Sequence, residues 1–211
     1  VKRIPREHLL ALVQRREITS DKSELLNDTL EARVPYSKTA ANAAYMAIKE
    51  ENGEFTLYRI LTAKEIADSI ELSGVNFGSD ELDGYIVKDI RPRAEDVKSL
   101  LERMFSSVDA SDWQIKYHQK ESWIPEVTDT FYYVTLREAL KQLQTHGMEF
   151  TFTCDVTSQG ITAKYLHLYD KIGEYTGKRF SYGDTTLESV KEIKRTNIVT
   201  SLIGRGRGEE V

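Results

Sequence analysis

The sequence contains a single cysteine, Cys154, in 211 residues. An intramolecular disulfide is therefore excluded, and a zinc site built on paired cysteines is excluded with it. Proline is scarce at four residues and tryptophan at two. No apolar run approaches the roughly 20 residues that span a bilayer as a helix. The opening VKRIPREHLL has basic residues but no apolar core of a secretory signal. There is no excess of positive charge either. Lys and Arg total 29 against 34 Asp and Glu, a formal net charge of -5, which argues against general nucleic-acid binding through a basic stripe. Spacings that announce catalysis are also missing. There is no nucleophile elbow, no Walker A loop and no dinucleotide-binding glycine fingerprint.

What remains is ordinary globular composition, 40% hydrophobic and 30% charged. A chain this long can bury a core without a disulfide or metal. Residues 1-20 are polar and basic with a short apolar patch at Leu9, Leu10, Leu12 and Val13, which fits a helix or a packed loop. Alternation through Leu30, Ala32, Val34 and Tyr36 predicts a half-buried strand. SKTAANAAYMAIKEEN has Ser37 as a capping residue and strong helix formers, and so predicts a short helix. Asn52-Gly53 marks a hairpin turn. Strands follow at EFTLYRILTAKEI and IADSIELSGVNF.

In DIRPRAEDVKSLLERMFSS, the spacing of Val97, Leu100, Leu101, Met104 and Phe105 predicts an amphipathic helix, with Pro92 in its first turn. Trp113, Ile115 and Tyr117 form a strand pattern. Leu136, Ala139, Leu140 and Leu143 define a second helix, closed by Gly147. FTFTCDV and ITAKYLHLYDK read as strands, the latter apolar on both faces. Further strands are expected at VKEIKRT and VTSLIGRG.

The ordered run over residues 130–208 resembles the N-terminal hub region of phage and prophage tail proteins, a family labelled prophage endopeptidase tail or tail-associated lysin. An aromatic strand, the helix LREALKQL and HGMEFTFTCDV come first. Phe180, Tyr182, Leu187, Val190, Ile193, Arg195, Val199, Thr200, Leu202, Gly204, Gly206 and Gly208 then match the later stretch. The match is best over the last 80 residues or so and looser over the first 90. The resemblance implies an α+β fold of small β-barrel domains with an α+β insertion, as in a baseplate hub. It implies a barrel-like domain at 1-90, the insertion at 91-155, and the first part of a second barrel at 156-211 that continues beyond Val211. It also implies a homotrimer that closes the tail tube, with the distal tail protein and the tape-measure protein as partners. Its location would be the virion tail tip, assembled in the host cytoplasm. Lytic or carbohydrate-binding activity would lie in C-terminal domains. The alternatives are a peptidoglycan endopeptidase and the hub of a contractile injection system.

Candidate chemistry is sparse, and no catalytic, cofactor-binding or metal residue is nominated. Cys154 sits in a strand and reads as a buried thiol. His8, His118, His146 and His167 lack metal-ligand spacing. His146 fits a helix C-terminus, and His167 a barrel wall. The acidic pairs Glu50-Glu51, Asp80-Glu81 and Glu209-Glu210 read as solvated surface rather than glycosidase carboxylates, which need one carboxyl in an apolar pocket. Arg205 and Arg207 in GRGRG read as a strand end facing a neighbouring subunit or the tail lumen, where DNA could be touched. The clusters FYY at 131–133 and YLHLY at 165–169 divide between core and subunit contacts, where aromatic residues are enriched.

Overall fold

The computed structural model describes residues 4–17, 27–118 and 125–172. The chain forms two compact units, Val1–Ile172 and Gly173–Val211, and all described residues lie in the first. The strands expected at VKEIKRT and VTSLIGRG, and the GRGRG segment, lie outside the described residues.

The leading segment opens on a short 3-10 helix, Arg6–His8, and then departs from the expected helix or packed loop. It holds strand β1 (Ala11–Glu17), which pairs antiparallel with β2 (Asn27–Pro35). Backbone pairing decides its form, since β1 buries little on either face. In β2 the alternation expected from the sequence is present, with Leu30, Ala32 and Val34 buried. The helix expected after Ser37 is cut short. Ser37 does cap α1 (Lys38–Ala41), accepting from the Ala40 N–H at 3.2 Å, but the chain then turns into β3 (Tyr45–Lys49). YMAIK alternates, and cross-strand pairing overrides its helix propensity. Through the Asn52-Gly53 turn, β3 pairs with β4 (Phe55–Ile66), with Gly53 at φ +91°. A tight turn at Ala67-Asp68 leads into β5 (Ser69–Asn76), which lies between β4 and β2.

The strand expected through Phe77 ends one residue earlier. Asn76 caps a short helix, α2 (Phe77–Leu82), by accepting from the Gly78 N–H at 3.0 Å. After β6 (Ile86–Ile90) and the two-residue β7 (Glu95–Asp96) comes α3 (Val97–Ser107). Pro92 is outside this helix. Ala94, at φ +47°, breaks the helical path, and the Asp96 carboxylate caps α3 through the N–H groups of Lys98 and Ser99. The expected apolar face is correct: Val97, Leu100, Leu101, Met104 and Phe105 are all buried.

Strand β8 (Trp113–Tyr117), the short β9 (Glu126–Val127) and β10 (Phe131–Thr135) follow. β10 pairs with β6, and β9 with β7. Thr135 then caps α4 (Leu136–Gln144), whose Leu136, Ala139, Leu140 and Leu143 are fully buried. Gly147, at φ +86°, turns the chain out of this helix into β11 (Glu149–Thr157) and β12 (Gly160–Tyr169).

The main sheet has eight strands in the order β1-β2-β5-β4-β11-β12-β8, with β3 on β4. Among the described strands only β8 and β12 pair parallel. The structure is thus mixed α+β and mostly sheet, as expected. The sheet is open, however, and among the described residues no closed barrel forms. Its physical cause lies in the edges: β1 ends the order on one side and β8 on the other, and the two do not pair. The larger core joins α3 and α4 to β6, β8, β10, β11 and β12. A smaller one gathers Val34, Ala40, Ile70 and Leu72.

Candidate functional site

Polar groups converge most densely where β4, β8, β11 and β12 meet. His167 lies on β12 and is 2% exposed. Its Nδ1 faces His118 Nε2 at 2.8 Å, just past the end of β8. Its Nε2 lies 2.7 Å from Thr153 Oγ1 on β11 and 3.1 Å from Glu54 Oε2 at the start of β4. Thr153 also donates to Glu54, and Lys116 of β8 bonds the other Glu54 oxygen. The Lys116 ammonium sits 3.4 Å above the Tyr165 ring. The His118 ring stacks on His167 and on Tyr169, with centroids at 5.0 and 4.6 Å.

Strand geometry explains the assembly. Residues 165, 167 and 169 share one face of β12, and the register puts Thr153 beside Tyr165 and Lys116 beside His167. Burial alone would raise the Glu54 carboxyl. The hydrogen bonds from Lys116 and Thr153 outweigh it and hold Glu54 at about 2. Burial also lowers His167, and the nearby His118 and Lys116 lower it further against the pull of Glu54. Near neutral pH the cluster therefore contains a carboxylate, an ammonium and a neutral, buried imidazole.

This arrangement does not form a nucleophile–base–acid relay. Such a relay needs the hydroxyl and the carboxylate on opposite ring nitrogens of the histidine. Here Thr153 and Glu54 both approach Nε2, and Nδ1 is taken by a second histidine. What the cluster does is tie four strands together through one saturated polar network.

A second network lies at the other end of the sheet. Tyr58, fully buried, donates to Asp28 Oδ1 at 2.8 Å and accepts from Gln14 Nε2 at 2.6 Å. Asn76 Nδ2 donates to Asp28 Oδ2 at 3.1 Å, and Arg16 pairs with the same oxygen at 3.3 Å. Burial outweighs these partners and raises the Asp28 carboxyl. The network joins β1, β2, β4 and β5.

The residues weighed in the sequence fall as follows. Cys154 is buried, donates towards the Phe55 carbonyl at 3.5 Å, and is pushed up to about 11 by burial and neighbouring carboxylates. His146 follows α4 and pairs with Asp129 at 3.1 Å. His118 and His167, 49 residues apart, are brought together. Asp80 and Glu81 are engaged in ion pairs and Glu50 accepts a hydroxyl hydrogen bond. Asp80 holds Arg59 in a two-pronged bond at 2.5 and 2.6 Å, Glu81 holds Lys164 at 2.6 Å, and Glu50 bonds Thr56. Arg205, Arg207, Glu209 and Glu210 lie outside the described residues. Among the described residues, no group of three or more His, Cys, Asp or Glu side chains is placed to hold a metal ion. No described helix is long and apolar enough to cross a membrane. Sequence reasoning missed Glu54, Lys116 and Thr153, since nothing local distinguishes them from surface residues.

The exposed surface carries its own signals. Leu10, Leu12 and Val13 are exposed on and beside β1, a strand whose outer edge has no partner among the described strands. Tyr132 and Tyr133 are exposed as a T-shaped pair with centroids 4.9 Å apart. Tyr133 holds a left-handed backbone, φ +50°, within β10, while the β10–β6 register is the same on either side of it.

No protein-family model and no curated protein matches the sequence. Solved structures that align with this chain include a prophage tail protein, gp18 of Listeria monocytogenes EGD-e. It aligns with a TM-score of 0.49 and 12% identity over 80% of this chain and 51% of that one. Another is c3393 of E. coli, described as a component of the type VI secretion system with structural similarity to the T4 bacteriophage tail proteins gp27 and gp5. Its TM-score is 0.43, with 13% identity over 69% of this chain and 43% of that one. The structural neighbours are thus tail and tail-like components, and this chain spans about half of the first and less than half of the second.

Proposed function

We propose that this chain is a structural part of a phage tail tip, the hub region that closes the tail tube. The observation that carries the reading is the ordered run of motifs over residues 130–208. The edge of the sheet adds physical support. A seven-residue strand, β1, keeps an unpaired edge among the described strands and exposes Leu12 and Val13. Such an edge is a liability unless another element covers it, and a ring of subunits would supply one.

In this reading the chain forms a homotrimer with barrel-like parts at about 1-90 and 156-211 and an α+β insertion at 91-155, with β11 leading from the second part into the third. The distal tail protein and the tape-measure protein are its partners in the virion. Catalysis is not assigned to this region. Light scattering over a range of concentrations tests the assembly, with a trimer expected. A chain that stays monomeric at high concentration and does not bind the distal tail protein would refute the reading. A digest of purified cell walls by this chain would instead favour the endopeptidase.

A further inference from the structure

We propose that the His118–His167 pair is an acid-operated latch that fastens the end of the edge strand β8 to β12. The proposal is independent of the tail-tip reading. It rests on proton counting in a fixed geometry. The two facing nitrogens, His118 Nε2 and His167 Nδ1, are 2.8 Å apart, which requires one proton between them. With both rings neutral, Glu54 and Thr153 occupy the Nε2 side of His167. Its proton then sits on Nε2, and His118 donates to Nδ1. One added proton leaves this bond intact, because a single N–H still lies between the rings. A second added proton places an N–H on each facing nitrogen. Neither can then accept, and two cationic rings stacked at 5.0 Å repel.

Among the described residues, charged and titratable groups from four strands face the pair. Glu54 comes from the start of β4, Lys116 from β8, and Tyr165 and Tyr169 from β12 itself, while β11 contributes the Thr153 hydroxyl. Glu54 favours the first proton, and Lys116 disfavours the second. The ring that can leave is His118, which is exposed, whereas His167 is anchored in the core. When His118 leaves, two further contacts go with it: its stack on Tyr169 and its backbone N–H bond to the Leu168 carbonyl at 2.8 Å. Because β8 pairs with β12 alone among the described strands, the strand end then frays while the core stays folded.

Amide hydrogen exchange on the full chain tests this, with protection corrected for the intrinsic pH dependence. The His118 amide should lose protection about tenfold or more between about pH 7 and about pH 4.5, while the Leu140 and Leu143 amides of α4 keep theirs. Histidine ring NMR should show two coupled protonation steps for the His118–His167 pair. In His118→Gln the amide side chain still donates to Nδ1 but cannot charge, so the loss should disappear. An unchanged His118 amide, a loss shared equally by α4, a loss that persists in His118→Gln, or independent single-step titrations would each overturn the latch.

Discussion

Replacing Glu54 by glutamine tests whether the polar cluster beneath β12 stabilises the fold. The carboxyl is held at about 2 against 4.5 for the free group. At about 1.4 kcal/mol for each tenfold change in proton affinity, that drop sets an upper bound of about 3.5 kcal/mol. The side chain is only 12% exposed, but its surroundings are only partly closed, so solvent screening brings the contribution below that bound. Glutamine keeps some of the hydrogen bonds to Thr153 and His167 but loses the charge opposite Lys116. About 2 kcal/mol is therefore the expected cost near neutral pH.

The sign follows from the direction of the shift. A carboxyl whose folded-state affinity for protons is depressed stabilises the fold in full above about 4.5 and loses that contribution as the pH falls towards 2. The gap between wild type and Glu54→Gln should thus close over that interval. Between about 6.5 and 4.5 it should first widen slightly. His167 is lowered from 6.5, so its folded-state cost of protonation is felt below that value, and without Glu54 the cost is greater. Urea unfolding followed by tryptophan fluorescence at a series of pH values measures the gap. Equal stability at neutral pH, or a gap that stays constant down to about pH 3, would refute the assignment of Glu54 as a charged strut.

Three other perturbations probe packing and backbone. Gly78→Ala would set a Cβ 2.6 Å from Cβ and Cγ of Phe152. Since that ring is core, a loss of about 1–3 kcal/mol is expected in the same unfolding assay. Ala67 holds φ +50° at the tip of the β4–β5 hairpin, a conformation that costs an L-residue about 1 kcal/mol. Ala67→Gly should raise the midpoint of thermal unfolding, corresponding to a net gain of roughly 0.5 kcal/mol after the added unfolded-state entropy. Cys154, buried and pushed up to about 11, should react with a thiol reagent at neutral pH only once urea unfolds the chain, which absorbance of the released chromophore reads directly.

The elements legible in the sequence are those whose burial pattern repeats along one stretch. Helix α4 shows Leu136, Ala139, Leu140 and Leu143 at helical spacing, and all four are fully buried. Strand β12 is apolar on both faces in the sequence, and Tyr165, Leu166, His167 and Leu168 are indeed buried in succession. The elements that misled are those decided by distant partners. YMAIK carries helix formers, yet β4 draws it into a ladder. Pro92 fits a helix start by chemistry, but the Asp96 cap sets the start of α3. The polar cluster was least legible because sequence separation hides it. Glu54 and His167 are 113 residues apart, and no local period connects them. A lone histidine on an alternating strand marked only one corner. Its neighbours became visible once the β11–β12 register placed Thr153 beside Tyr165 and the parallel pairing placed Lys116 beside His167. The same logic applies to β1. Its side chains bury too little to give a period, and what makes it a strand, and leaves an edge for a neighbour, is backbone pairing with β2 alone among the described strands.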